Sequence, residues 1–198
     1  MRAGRARRLT RRGRRAIAWV LVGLLALAGP ALSAPPAGGP LDAFELSRYA
    51  PDTRAPEFLG RTVEGHPVSL AELGGRVVLL NFWATWCLEC RPEMPAIERL
   101  HRELGPQGLT VVGVNAREGT PAVRAYAREL GLTFALVLDP KGDIGKMYGV
   151  IGLPTTFLIG RDGRAVAFAV GPRAWGSPPA RAILRALLSE PVPRPVGR

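Results

Sequence analysis

The sequence predicts an α/β fold, a central mixed sheet flanked by helices, on three observations. Val77 to Trp83 reads Val-Val-Leu-Leu-Asn-Phe-Trp, a nearly continuous apolar run of strand length, which suits a central strand covered on both faces. From there strand-like and helix-like segments alternate, the pattern of right-handed βαβ units on a parallel sheet. Later, Thr155 to Ile159 and Ala165 to Val170 are joined by the turn-rich Gly160-Arg161-Asp162-Gly163, which adds an antiparallel hairpin and makes the sheet mixed.

Taken in order, Phe58 to Thr62 and Pro67 to Leu70 flank the turn Glu64-Gly65 and predict a short N-terminal hairpin. After the central strand, Met94, Ile97, Leu100 and Leu104 recur at helical spacing with Glu98, Arg99, Arg102 and Glu103 between them. That is an amphipathic helix ending near Gly105-Pro106. Leu109 to Val114 comes next as a buried strand, Pro121 to Leu130 as a helix closed by Gly131, and Phe134 to Leu138 as a strand. A last helix, about Pro178 to Leu188, covers the sheet.

The chain has 198 residues and a formal charge of +11. Eight arginines fall in the first fifteen residues with no acid among them; without those eight, 19 Lys and Arg stand against 16 Asp and Glu. The bulk of the chain is therefore only mildly basic and gives no reason to invoke nucleic acid. An apolar stretch, Ala16 to Ala28, and the small residues Ala31 to Ala34 come after the arginines. Residues 1–34 thus read either as a secretory signal cleaved after Ser33 or as a retained N-terminal membrane anchor. Either outcome exports the rest of the chain to the periplasm or the outer face of the cytoplasmic membrane. Residues 35–52 read as a Pro/Gly-rich linker, 53–190 as one domain of ordinary size, and 191–198 as a Pro-rich tail.

Only two cysteines are present, Cys87 and Cys90, separated by Leu88 and Glu89. A disulfide closing so small a loop stabilises by only about 2 kcal/mol, so the pair is poorly placed for structure and well placed for chemistry. Cys87 comes directly after the central strand and is expected to open the next helix, where unpaired N–H groups favour a thiolate. The thiolate is the nucleophile of disulfide exchange. Cys87 is expected to attack and Cys90, a turn away, to resolve the mixed disulfide. Zinc would require more ligands than this pair, and the only histidines are His66, in a turn, and His101, far along the helix. No cofactor or metal is expected.

Asn81-Phe82-Trp83-Ala84-Thr85-Trp86-Cys87-Leu88-Glu89-Cys90-Arg91-Pro92-Glu93-Met94-Pro95 resembles the active-site segment of the TlpA/ResA-like branch of the thioredoxin superfamily, with its redoxin/AhpC-TSA-type domain. Ile151 to Ile159, with Leu153-Pro154-Thr155, resembles that family's second element, and Ala55-Pro56-Glu57-Phe58 its front. The likeness spans roughly residues 53 to 189. It implies a thioredoxin-like fold with an N-terminal hairpin and an extra βα insertion, and extracytoplasmic thiol–disulfide oxidoreductase activity. It implies redox-active Cys87 and Cys90, a cis Pro154 facing them, and substrate contacts at Trp86 and Leu153. It also implies that Glu93 exchanges protons with Cys90 or raises its pKa. The residues alone leave other readings open: Leu153-Pro154 as a plain turn, and Glu93 as a solvated first-turn glutamate. Pro95 corresponds to the proline that bends thioredoxin's helix. The partners implied are protein thiols and disulfides, such as apocytochrome c or copper-site assembly proteins, with a membrane dithiol relay as electron donor.

The chain departs from the family at Glu89, where the second spacer is usually proline; Glu89 restores an N–H and adds a charge that Arg91 is placed to offset. Two other classes fit less well. For a metallochaperone on the same fold this chain offers no evident His or Met cluster, a degenerate docking module would not keep the intact cysteine pair, and a thiol peroxidase would place a proline ahead of a single attacking cysteine, where this chain offers only Thr85.

Overall fold

All seven residues of the strand Val77–Trp83 (β4) are buried, and their alternation divides the core in two. Val77, Leu79 and Trp83 face one cluster, whereas Val78, Leu80 and Phe82 face the other, as the two-residue period of a strand dictates. This is a computed structural model describing residues 39–192. The expected signal or anchor at 1–34, residues 35–38 of the linker and 193–198 of the tail lie outside the described residues.

In chain order the remaining elements are α1 (Pro40–Ala43), β1 (Ser47–Arg48), β2 (Leu59–Thr62), β3 (Pro67–Ser69), α2 (Met94–Leu104), β5 (Leu109–Ala116), α3 (Thr120–Leu130), β6 (Ala135–Asp139), α4 (Asp143–Met147), β7 (Thr155–Ile159), β8 (Ala165–Val170) and α5 (Pro178–Ser189). The sheet order is β1-β8-β7-β4-β5-β6-β2-β3. β4, β5 and β6 are parallel; β7 and β8 on one side and β2 and β3 on the other run antiparallel, so the sheet is mixed as expected. The N-terminal hairpin forms where Gly65, at φ 94°, makes the turn, and it docks on β6. The extra helix–strand unit is α3 with β6, and Gly131, at φ 63°, closes α3.

Helices α2, α3 and α5 pack on the first face of the sheet. Met94, Ile97, Leu100 and Leu104 of α2 are all fully buried there, each contributing about 2 kcal/mol. Gly113 on β5 leaves the room that the Trp83 ring occupies on this face. A Cβ at 113 would come within 2.9 Å of the Trp83 ring nitrogen and of Phe134. The second face is covered by Ile144 and Tyr148, with Phe58 and Leu70 from the N-terminal region.

Two expectations are corrected. Residues 35–52 are not wholly a linker, because 40–48 belong to the fold. Phe44 and Leu46 are buried in the first core, Phe44 sits edge-on to Trp175 at 5.2 Å, and β1 pairs with β8. The Pro/Gly composition ends at Pro40, and the apolar Leu41, Phe44 and Leu46 beyond it have a surface to cover. The second correction concerns the cysteines. The helix after β4 begins at Met94, not at Cys87. Between them the chain makes three successive turns, Cys87 N–H to Ala84 O, Cys90 N–H to Cys87 O and Glu93 N–H to Cys90 O, each 3.2 Å. Pro92 and Pro95 have no N–H to donate four residues back, so regular helix cannot extend through this stretch. Pro95 consequently sits in the first turn of α2 rather than bending it from within.

Candidate active site

Cys87 and Cys90 are joined as a disulfide. They differ in access: Cys87 keeps 6% of its surface and lines a cleft, whereas Cys90 is fully enclosed. Without a helix N-terminus at Cys87, its sulfur accepts, among the described residues, from the backbone N–H of Cys90, 3.2 Å from Cys87 Sγ. That donor is supplied by the turn geometry of the spacer.

The cleft measures about 830 Å³ and brings together residues more than sixty positions apart, Trp86 and Cys87 from the first motif and Ile151, Gly152 and Leu153 from the second. Trp86, 65% exposed, and Ile151, 91% exposed, give this cleft an apolar edge beside the reactive sulfur. The Leu153–Pro154 bond is cis, as the resemblance implied. Pro154 itself is buried, with its carbonyl accepting from Gly171 N–H at 2.8 Å, so it is Leu153 that faces the cleft.

Glu93 is 4% exposed, which overturns the solvated first-turn alternative. Its Oε1 accepts from Asn81 Nδ2 at 2.9 Å and its Oε2 from the Arg173 N–H at 3.2 Å. Burial pushes its pKa up to about 7, and the donors from Arg173 and Asn81 offset only part of that rise. A second cleft of about 750 Å³, bounded by Leu88, Glu89, Arg99, Arg173 and Trp175, is also lined by Glu93.

Arg91 does not offset Glu89. It pairs with Glu129 and lies over the Tyr126 ring, 5.4 Å from its centroid, because α3 offers it both an acid and an aromatic face. Glu89 remains exposed at the edge of the second cleft. Neither His66 nor His101 lines either cleft; His101 packs edge-on to Phe134.

Sequence reasoning missed four participants. Asn81 was legible as the one polar residue in an otherwise apolar central strand; it bridges Glu93 and, at 2.9 Å, Thr156. Arg173 and Trp175 carry no local signal, since the Arg173 N–H reaches Glu93, and Trp175 joins Glu93 in lining the second cleft, only when the segment after β8 folds back. Glu118 is the fourth. Its carboxylate accepts from Thr85 N–H and from Asn115 Nδ2, both at 2.7 Å, and is also bonded to the Thr85 hydroxyl, so it clamps the loop entering Cys87. The Thr85 hydroxyl, the one feature shared with a peroxidase site, is thereby engaged.

Comparison with known proteins agrees with this geometry. The thiol-disulfide oxidoreductase ResA of Bacillus cereus is 38% identical over 112 residues, 57% of this chain and 65% of that protein. The thioredoxin-like protein YneN of Bacillus subtilis is 44% identical over 113 residues, 56% of this chain and 65% of that protein. The chain thus spans somewhat less than two thirds of the length of these relatives. Among solved structures, a putative thiol:disulfide interchange protein DsbE from Chlorobium tepidum superposes with a TM-score of 0.66 at 32% identity, covering 73% of this chain and 99% of that one. The fold is thioredoxin-like, with the cysteine pair at the end of its central strand. The AhpC/TSA family pattern matches residues 51–167, more than half the chain and including both cysteines and the cis proline, and the protein belongs to the AhpC/TSA family.

Proposed function

We propose that the protein is an extracytoplasmic thiol–disulfide oxidoreductase acting on protein thiols through Cys87 and Cys90. The observation that carries this is the asymmetry of the pair, one sulfur at a cleft edge with an N–H aimed at it and the other enclosed behind it. A partner sulfur can reach only Cys87.

In the reducing direction, the Cys87 thiolate attacks one sulfur of the partner disulfide. A new S–S bond forms, the partner's own breaks, and its second sulfur leaves as a thiolate that takes up a proton. Cys90 then gives its proton to the Glu93 carboxylate and attacks Cys87 Sγ, closing the Cys87–Cys90 disulfide and releasing the partner's first sulfur as a thiolate, which takes up a proton. Two electrons pass from the pair to the partner. Glu93 suits this task because an acid with a pKa near 7 exchanges protons readily at neutral pH. Leu153, beside the cis Pro154, presents backbone to an extended partner segment that pairs as an added strand, and Trp86 packs on it.

The basic and apolar N-terminal sequence supports export. The family resemblance points to apocytochrome c thiols or copper-site assembly proteins as substrates and to a membrane dithiol relay as electron donor. Trapping checks the role assignment. Cys90→Ser should accumulate covalent mixed disulfides with cell-envelope proteins and Cys87→Ser should accumulate none; the reverse pattern sinks the proposal.

A further inference from the structure

The cleft beside Cys87 is lined by the apolar side chains of Trp86, Ile151 and Leu153 and also by three cationic residues, Arg117, Lys141 and Lys146. Among the described residues none of these three cations takes part in an ion pair, whereas Arg48, Arg91, Arg102, Arg164, Arg181 and Arg185 all do. Nor does any of the three donate a side-chain hydrogen bond within the described residues. Two carboxylates, Asp139 and Asp143, line the same cleft. Asp139 is buried and its Oδ2 accepts the Gly145 N–H at 2.9 Å, so it is committed to the protein, and Asp143 is exposed.

Arg117 holds its place against a backbone preference. Its φ is 62°, a left-handed conformation in which a non-glycine residue is uncommon and which gathers at functional sites. Its N–H donates to Asp139 O at 3.0 Å, and its guanidinium lies so close over the turn before α4 that a Cβ on Gly142 would come within 3.0 Å of Nε. A glycine at 117 would relieve the strain and lose the charge.

We propose that the cleft selects partner segments in which acidic side chains flank the reacting cysteine, recognised by Arg117, Lys141 and Lys146 while Trp86, Ile151 and Leu153 take the apolar part. This rests on the thiol–disulfide reading above. The occupant is a polypeptide and not an anionic lipid surface, because the same cleft contains Cys87 and its occupant has to present a sulfur there.

The test is single-turnover oxidation of pre-reduced protein by three disulfide-bonded peptides identical except for acidic, neutral or basic residues beside the cysteine. The Cys87 and Cys90 thiols supply two electrons and two protons, and each peptide disulfide becomes two thiols. The acidic peptide should react roughly tenfold faster than the basic one at low salt, with the neutral peptide between them and the spread narrowing at about 0.5 M salt. Lys141→Glu/Lys146→Glu should invert the order. Equal rates for all three peptides overturn the charge selection and leave the reaction class standing. An order that persists in the double variant overturns the assignment to these lysines, and no reaction with any peptide sinks the selection together with the reaction class.

Discussion

At Glu93 the burial that raises the carboxyl pKa to about 7 also links folding to pH. In the unfolded chain this group titrates near its ordinary value of 4.5, so between about pH 4.5 and 7 the folded state holds a proton that the unfolded state has lost. Stability contributed by the neutral acid is present below pH 4.5, falls through that window and is flat above it. A rise of this size corresponds to about 3 kcal/mol. Urea titrations of the oxidised protein should show that slope, and Glu93→Gln should flatten it while adding a pH-independent cost, since an amide cannot accept from both Asn81 and Arg173. An unchanged slope in the variant would mean that Glu93 is charged in the folded protein throughout. Glu118 makes a different contribution. Glu118→Ala leaves the Thr85 N–H, the Thr85 hydroxyl and the buried Asn115 amide without their acceptor, which should cost about 1–3 kcal/mol and slow mixed-disulfide formation. Urea midpoints and insulin-reduction rates equal to those of the parent protein would show the clamp to be idle.

Among the elements, the segment that carries α1 and β1 offers the clearest mechanical test. Phe44 packs on Trp175, and Trp175 belongs to the segment that delivers Arg173 to Glu93. Phe44→Ala should therefore destabilise the fold by about 3–4 kcal/mol and also lower the pKa of Glu93 by letting water reach it; a stability loss without a shift in the pH slope would uncouple the two. Composition alone assigned this segment to a linker, because a single aromatic after a Pro/Gly stretch has no periodicity to betray it. The start of α2 was misplaced for a related reason. Met94, Ile97, Leu100 and Leu104 announce the helix correctly, but its N-terminal limit depends on Pro92 and Pro95, whose effect is to withhold donors rather than to break the apolar pattern. The hairpins and the closure of α3 at Gly131 were legible because their turns place glycine at positive φ.

For the molecule as a whole, the disulfide is a minor stabiliser beside two hydrophobic clusters that share the sheet. Cys87→Ser/Cys90→Ser should lose about 2 kcal/mol and all exchange activity while keeping cooperative unfolding and an unchanged far-ultraviolet circular dichroism spectrum; a chain that fails to fold would make the pair structural. The sequence by itself determined the fold class, the central strand, the amphipathic helices and the identity of the reactive pair, because each is written in local periodicity or in one contiguous motif. Only the tertiary structure decided that Cys87 is reachable and Cys90 is not, and that Glu93 is buried under Asn81 and Arg173. It also decided that Arg91 serves Glu129 instead of Glu89, and that Arg117, Lys141 and Lys146 face the same cleft as the sulfur. Burial, pKa and charge complementarity depend on which distant segments meet, and no spacing along the chain records those meetings.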